Sequence, residues 1–536
     1  MKNFAPYAAA MMILAVGTCA QYSGCGHQSL PVSDTPHQDS LIVELPQPPK
    51  TLPDTVFSSV LDNIEYEVIT IDTTISGELG STDNLYGNIK GVLTFRGNPW
   101  RRANFGGKVT GTPSEVVQEW VLLTAMDNTT TKFGTWGGGN GWTGQPLHIY
   151  WPDSVFNRIK AENKELTKDF QQHEVIVGSL CSKVYFINPD NGKPSRNPID
   201  VGNPIKGTIS LDPAMNGRLY VGHGVPNRQP FGHITVDVFT NKVIHTYGGD
   251  SKAWRSWNAY DSSPIRVGDF VFRPGENGIL YKYYAAGDDE RLHSKMRFRR
   301  KGRSGAEGME SSMSVYKNYG YFCDNGGNIL CVNLETLCPV WHFDNKDDSD
   351  ASIVIDEEDG VPYLYSGCEV DKQGAGGKAR FVKLNGLNGE LVWLYDKVSS
   401  RHNDPSGKHF DGGFYATPLL GEGNCDSLVF VNRVDNEGAL QNGHFIALHK
   451  KTGRLVYEHK LSCYSWSSPV GFLNENGEQF VLTGDTQGRI YLFNGIDGSE
   501  IFKKVIGLNF EASPLVIGNQ VIIGSRGNQI FGLRVQ

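Results

Sequence analysis

From residue 192 to residue 498 the chain repeats itself. A strand, a tight turn and a second strand return with the turn at Gly192, Asn241, Gly287, Leu337, Gly389, Gly453 and Gly498, at intervals of 45 to 64 residues. Residues 447–457 (ALHKKTGRLVY) are the clearest copy, and 383–393 (KLNGLNGELVW) and 331–341 (CVNLETLCPVW) align with it. Glycine suits a turn position that needs a positive φ, and asparagine tolerates one. Leu337 departs from this pattern, so its turn must differ or be strained. A second register opens an apolar strand in every unit, with Ser or Thr often before Pro. Its clear copies are Ser263-Pro264, Thr417-Pro418, Ser468-Pro469 and Ser513-Pro514, and its degenerate ones are Gln145-Pro146, Thr208-Ile209, Ser312-Met313 and Ser352-Ile353. A period near fifty with about four short strands per unit is the sequence signature of a β-propeller.

The expected fold is therefore all-β, an eight-bladed β-propeller with four-stranded blades over residues 91–536. A twisted four-stranded sheet has two apolar faces and must stack on neighbours. The aromatics that end units, Trp341, Trp393, Tyr457 and Phe502, are expected to wedge between adjacent blades, each worth roughly 2–3 kcal/mol. The eighth unit runs from Ser513 to the last residue, Gln536, without an outer strand. Upstream, residues 116–123 (VVQEWVLL) form an orphan strand with Trp120 at the aromatic position. This N-terminal strand is expected to complete the last blade, which removes an exposed sheet edge and closes the ring.

The first residues read as an address. Lys2 precedes an apolar run at 7–16 (YAAAMMILAV), too short to span a bilayer and suited to a secretory signal. Residues 1–24 are assigned to a signal peptide. Ser23-Gly24-Cys25 resembles a bacterial lipobox, with Tyr22 where Leu is usual, and would lipidate Cys25; cleavage after Thr18-Cys19-Ala20 is the alternative. Residues 25–90 read as a tether and N-terminal extension, rich in Pro, Ser, Thr and Asp over its first thirty residues or so. The expected location is the bacterial cell envelope, as a periplasmic or outer-membrane lipoprotein. The 50 Lys and Arg against 58 Asp and Glu give a net charge of −8. That balance argues against a phosphate-neutralising nucleic-acid binder. The nine cysteines show no CxxC or metal spacing. Those beyond the signal read mainly as small core residues, with a disulfide as the lesser alternative.

The copies at 383–393 and 447–457 are degenerate matches to Ala-x-Asp-x-x-x-Gly-x-x-x-Trp. On them the chain resembles the quinoprotein-like (PQQ-like) eight-bladed propellers. Residues 94–99 (TFRGNP), followed by Arg101-Arg102, look like the lead-in found before such propellers. The resemblance implies the fold and leaves the function open, because the fold hosts dehydrogenases and non-catalytic scaffolds alike. The dehydrogenase branch implies PQQ, a vicinal Cys-Cys pair, a Trp floor, a Ca²⁺ site and a catalytic Asp. This chain has no adjacent cysteines, and its acids form no calcium loop. The other branch resembles envelope lipoproteins that act by binding, including the assembly factor for outer-membrane β-barrel proteins.

In the propeller register, the residue two before each anchor is expected at the channel mouth on one face. These positions are Thr143, Lys206, Asp261, Glu310, Asp350, Tyr415, Trp466 and Glu511. They read either as solvated loop positions or as a polar pocket or cation site. Loops of the same face carry Trp136 and Trp142, within 135–145 (TWGGGNGWTGQ), and Trp254, Arg255 and Trp257, within 254–261 (WRSWNAYD). Flat rings beside Asn, Asp and Arg suit a sugar or a peptide, and packing between loops is the equal alternative. Residues 295–303 (KMRFRRKGR) read as a solvated basic loop or as a seat for a polyanion. His402, His409 and Asp411 in the longest insertion are a minor metal alternative. No nucleophile motif accompanies them, so no catalytic residue is assigned and no metal is expected. The sequence thus points to a monomeric, non-catalytic scaffold that presents loops to an envelope protein or glycan. A PQQ-dependent oxidoreductase and a carbohydrate-binding propeller are the alternatives.

Overall fold

The structure is a computed structural model. It describes residues 61–536 except 132–133, 142–143, 304, 306, 375, 400–401, 404–408 and 438–439; the side chains of 402–403, 409–410, 436–437 and 440–441 are also outside the description. The signal peptide, Cys25, the first part of the tether, Trp142, Thr143 and the side chains of His402 and His409 therefore lie outside the described residues.

Eight antiparallel sheets form the blades of a propeller. Their innermost strands are Leu147–Tyr150, Ser210–Leu211, Ile265–Val267, Ser314–Tyr316, Val354–Glu358, Leu419–Leu420, Val470–Leu473 and Leu515–Ile517, for blades 1 to 8 in chain order. Most blades have four strands. Strand Val116–Leu123 pairs with Gln529–Val535 and closes blade 8, with Trp120 opposite Gly532 and Val121 opposite Phe531. The ring is thus shut by a strand from near the start of the chain, and the sheet edge at the end of the chain is covered.

The repeated turn works as its sequence suggests. All seven turn positions have a positive φ, from 57° at Asn241 and Gly287 to 75° at Gly389. The glycines have a second reason to lack a side chain. A Cβ on Gly389 would meet the Trp341 ring at 2.6 Å, and one on Gly453 would meet Trp393 at 2.6 Å. Each of these rings ends the preceding blade and lies beneath the next blade's turn. Its indole N–H donates to a carbonyl there, Trp341 to Gly386 at 3.0 Å and Trp393 to Lys450 at 2.9 Å. Tyr457 does the same through its hydroxyl, to Gly495 at 2.7 Å. The wedge therefore combines apolar area with a hydrogen bond that fixes its angle.

Leu337 keeps the same turn with φ 59° and is fully buried against the core of blades 3 and 4. A left-handed leucine costs about 1–2 kcal/mol, and burying its side chain returns about 1.5–3 kcal/mol. Leu337→Gly removes the strain and also empties the site. We expect a net loss of about 1–3 kcal/mol in urea unfolding. A gain would show that strain dominates.

One segment gains a place and one assignment changes. Residues 64–90, the later part of the N-terminal extension, pack on the propeller. Strand Ile64–Thr70 adds to the outside of blade 3, in register from Ile64 opposite Arg300 to Thr70 opposite Ser294. Further on, Leu79 and Tyr86 are buried in the core. The basic run is correspondingly not a solvated loop, because Arg291–Arg300 is the fourth strand of blade 3. Its charges are used there. Arg299 bonds Glu65 at 2.9 Å and Arg297 bonds Glu67 at 2.7 Å. Trp254 has both guanidinium groups 4.4 Å from its ring. Among the described residues no two cysteines form a disulfide; Cys181, Cys323, Cys331, Cys368, Cys425 and Cys463 are buried and Cys338 is half-buried.

The lead-in segment fills the channel. Backbone N–H groups of the innermost strands donate to it one after another: Tyr150 to Lys90, Leu211 to Leu93, Val315 to Pro99, Ile355 to Trp100 and Leu473 to Gly107. Arg96 and Arg101 are completely buried within the ring. Arg96 donates to the carbonyls of Pro469 (2.8 Å) and Pro418 (2.6 Å). Arg101 donates to Met313 (3.0 Å), Phe95 (2.8 Å) and Ser263 (3.1 Å). One stretch of chain thus ties blades 3, 4, 6 and 7 together through their anchor segments. It also supplies partners for inner edges that a hollow channel would leave open.

Candidate functional site

The Ser/Thr anchors form a girdle around the channel. The backbone N–H of one anchor donates to the hydroxyl of the next blade's anchor: Gln145 to Thr208 (2.8 Å), Ser263 to Ser312 (2.9 Å), Ser312 to Ser352 (2.8 Å), Ser352 to Thr417 (3.1 Å), Thr417 to Ser468 (3.1 Å) and Ser468 to Ser513 (3.4 Å). Between blades 2 and 3 the Ser263 hydroxyl instead accepts from Phe95 of the lead-in at 3.2 Å. Only a short side chain with an acceptor fits this role, which is why Ser and Thr recur there.

In every blade the inner strand follows its anchor, and the lead-in bonds to those strands. The register positions precede the anchors and gather beyond the girdle. The channel therefore has a filled floor and a separate mouth. Around the mouth the expected residues meet in sequence. Lys206 is ion-paired with Asp261, and its Nζ lies 3.9 Å from Glu310. Glu310 is near enough to Asp350 for its charge to raise the Asp350 carboxyl. Tyr415 hydrogen-bonds Glu369, which in turn bonds Asp350. Tyr415 and Trp466 rings lie 5.2 Å apart, and Tyr464 is 5.3 Å from Trp466. Glu511 pairs with Arg526 at 3.0 Å, and that guanidinium sits 5.2 Å over Trp136.

The mouth also contains acids outside the register. Glu276 joins Asp261 and Glu310, and Asp348 and Glu369 join Asp350. In each triad one carboxylate oxygen per residue lies within 4.8 Å of the other two. Glu276 and Glu369 each follow the second strand of their blade by two residues, after Phe270–Pro274 and Val361–Gly367. Burial raises the carboxyls of Asp261, Glu276, Asp350 and Glu369, and the neighbouring carboxylates add to the effect. The first triad holds a cation of its own: Lys206 is raised despite burial by the charges of Asp261, Glu310 and Glu276.

The tryptophans do not share one platform. Trp257 donates its indole N–H to Glu276 at 2.7 Å and so supports the first triad. Arg255 adds its charge beside the same Glu276. Trp254 is occupied with blade 3's outer strand, as described above, and Trp136 packs below Arg526. The aromatic wall at the mouth is instead Tyr415, Tyr464 and Trp466.

The raised Glu276 carboxyl gives a prediction with a definite sign. Its protonated form is favoured by the fold, so the cost of its charge is absent below the unfolded value of 4.5 and grows as pH rises through the folded value. Glu276→Gln keeps an acceptor for Trp257 and removes that charge. We expect the variant to be more stable than the parent at pH 8 by about 1–2 kcal/mol, with the difference fading toward pH 4. Urea unfolding across that range measures it. A difference that is constant with pH would contradict the account.

No family model matches the sequence, and no curated protein matches it. Solved structures do match in shape. A europium-containing methanol dehydrogenase aligns with TM-score 0.58 at 10% identity, over 84% of this chain and 100% of that one. A quinohemoprotein alcohol dehydrogenase from Comamonas testosteroni aligns with TM-score 0.56 at 12% identity, over 83% and 80%. The quinohemoprotein alcohol dehydrogenase ADHIIG from Pseudomonas putida HK5 aligns with TM-score 0.52 at 11% identity, over 87% and 82%. The chain thus has the quinoprotein-like, PQQ-like eight-bladed propeller fold. At such identity the likeness speaks for the fold alone.

Proposed function

We propose that this protein is a monomeric, non-catalytic binding propeller of the bacterial cell envelope, anchored by a lipid on Cys25. Its channel mouth takes a protein or glycan partner. The observation that carries this reading is the asymmetry of the channel. One end is filled by the protein's own lead-in, and the other is ringed by carboxylates beside an aromatic wall. Carboxylates offer acceptors to hydroxyls or to basic side chains, and the half-buried Trp466, backed by the buried Tyr415, offers flat apolar area to either. The anchor and location rest on the signal and lipobox alone.

The alternative inherited from the fold is a PQQ-dependent oxidoreductase. PQQ is a flat tricarboxylate and needs cationic partners. At this mouth Lys206 is already paired with Asp261, and Arg526 with Glu511. The surrounding groups are mostly acids, so the residues present do not fit the cofactor, and we derive no step through it. Purified protein given PQQ, Ca²⁺ and an alcohol or sugar is expected to leave an electron-accepting dye unreduced. For binding, glycan arrays and envelope peptide libraries are compared between the parent and the double variant Tyr415→Ala, Trp466→Ala. We expect the ligands selected by the parent to weaken at least about tenfold. Ligands held equally by both would remove the mouth from the binding face.

A further inference from the structure

The chain itself shows what one acid triad of the mouth accepts. Asp261, Glu276 and Glu310 are neutralised by the buried ammonium of Lys206. Lys206 is the register residue of blade 2 and stands one blade ahead of Asp261, the register residue of blade 3. The second triad, Asp348, Asp350 and Glu369, belongs to blade 5 alone, where the chain enters the blade and where its second strand ends. One blade ahead of Asp350 the register residue is Glu310, so that position brings a further acid and not a cation. Lys372 reaches the second triad from a loop, with its side chain 44% exposed and its Nζ 3.8 Å from Asp348 Oδ2, beyond hydrogen-bond distance. A half-exposed lysine so placed offsets little of the cost of three clustered carboxylates.

A separate observation points to a missing donor. Glu369 is only 5% exposed, and its Oε1 has no hydrogen-bond partner. A carboxylate oxygen buried without a donor costs far more than a satisfied one. The side chain is turned into the triad, since one of its oxygens lies within 4.8 Å of an oxygen of Asp348 and one of Asp350. The surroundings hold the acids in place. Asp347 accepts backbone N–H groups from Asp371, Lys372 and Gln373 at 3.0–3.1 Å, which fastens residues 371–373 beside the triad. Asp350 is half-buried, whereas Asp348 and Glu369 are buried, so the way in from solvent passes Asp350.

We propose that Asp348, Asp350 and Glu369 are the seat of a lysine side chain presented by a protein partner, whose ammonium takes the place there that Lys206 holds in the first triad. The proposal rests on the mouth being the binding face and decides between the two kinds of partner named above in favour of a protein. Donor geometry selects lysine among basic side chains. An ammonium carries three donors and no acceptor, one for each carboxylate. A guanidinium is a flat fork that matches one carboxylate at a time. Lysine also has an apolar four-carbon stem that can pass a half-buried rim and lie on apolar surface while its charge goes deeper. That surface is at hand, because Tyr415 bonds Glu369 and the half-buried Trp466 ring lies 5.2 Å from Tyr415. The cost of gathering three carboxylates is thus carried by the free protein and relieved on binding, which makes the lysine an anchor of the complex.

The probe is a displayed library of random linear peptides, selected on the full-length protein with EDTA present throughout. The selected peptides are expected to share one invariant lysine beside an aromatic or aliphatic residue. The tightest is then made with that lysine, with arginine and with acetyl-lysine in its place, and titrated by calorimetry. Acetyl-lysine is expected to weaken binding at least about thirtyfold, with arginine between the two. This comparison alters the peptide alone and so does not depend on any variant folding. In the protein, Glu369→Gln is expected to weaken the lysine peptide at least about tenfold. Glu162→Gln, which removes an exposed carboxylate from the helix Asp153–Glu162, is expected to change it less than about twofold. The proposal is overturned if the selected peptides need Trp466 and carry no lysine, if acetyl-lysine binds as tightly as lysine, or if Glu369→Gln binds as tightly as the parent. Glycans held through Trp466 with Glu369→Gln indifferent would overturn it as well and assign the mouth to a sugar. In each of these cases the mouth remains the binding face. Peptides and glycans indifferent to Trp466→Ala and to Glu369→Gln alike would remove both the lysine seat and the reading on which it rests.

Discussion

Trp120→Ala is expected to cost about 3–5 kcal/mol of unfolding free energy, the largest loss from any single wedge. The ring lies beneath Gly192 of blade 1, where an added Cβ would come within 2.5 Å of it. It also covers Gly532 of its own blade and donates to the Pro189 carbonyl at 2.8 Å. Trp341 and Trp393 are held in the same way, but they join blades that are consecutive in the chain. Trp120 joins the last blade to the first and belongs to the strand that covers Gln529–Val535. Its loss therefore weakens a wedge and the closure together. The freed edge would be available for pairing with a second chain. Urea unfolding and sedimentation measure the two consequences, and Trp120→Phe is expected to recover about half of the stability by restoring apolar area without the hydrogen bond. A cost below about 1 kcal/mol would mean that the ring closes by other contacts.

Arg101→Ala is the second large effect. Among the described residues the guanidinium has no carboxylate partner; its bonds go to carbonyls of the channel floor and to the Thr94 hydroxyl at 2.8 Å. Burial pushes it down to about 10, so the fold bears a desolvation cost for keeping it charged. Alanine relieves that cost. It also leaves the carbonyls of Met313, Ser263 and Phe95 without this donor, at about 1–3 kcal/mol for each one that stays buried and unmet. The balance is a loss of about 2–4 kcal/mol. Hydrogen exchange localises it. The N–H groups of Val315 and Ile355, which donate to Pro99 and Trp100, are expected to lose protection, while those of the outer strands keep it. Uniform loss across all blades would show that the floor does not act as a separate unit.

The parts legible in the sequence are those set by local rules. A positive φ calls for glycine, an anchor between blades calls for a small hydroxyl, and an unfinished last sheet calls for a strand from elsewhere. Leu337 shows the limit of the first rule, since tertiary burial can carry a side chain through a turn that local preference would give to glycine. Register arithmetic also brought Lys206, Asp261, Glu310, Asp350, Tyr415, Trp466 and Glu511 to one mouth. It missed Glu276, Asp348 and Glu369, although the position two residues past each second strand was a signal that could have found two of them. The lead-in was recognised as a segment, but its place was not, because a chain that fills a channel has no periodicity and takes its partners from every blade. Trp254 misled for a related reason. Its neighbours Arg297 and Arg299 are distant in sequence, and they are held there by a strand that begins at Ile64.

The claim on which the functional account turns is that this protein engages its partner at the mouth. Site-specific photocrosslinking in the host tests it directly. A photoreactive residue is placed at Trp466 on the aromatic wall, and in a second strain at Val456 on the outer strand of blade 6, which is 47% exposed. The account predicts discrete adducts from position 466 and none from position 456. Adducts from 456 with none from 466 would contradict it and move the binding surface to the rim of the ring.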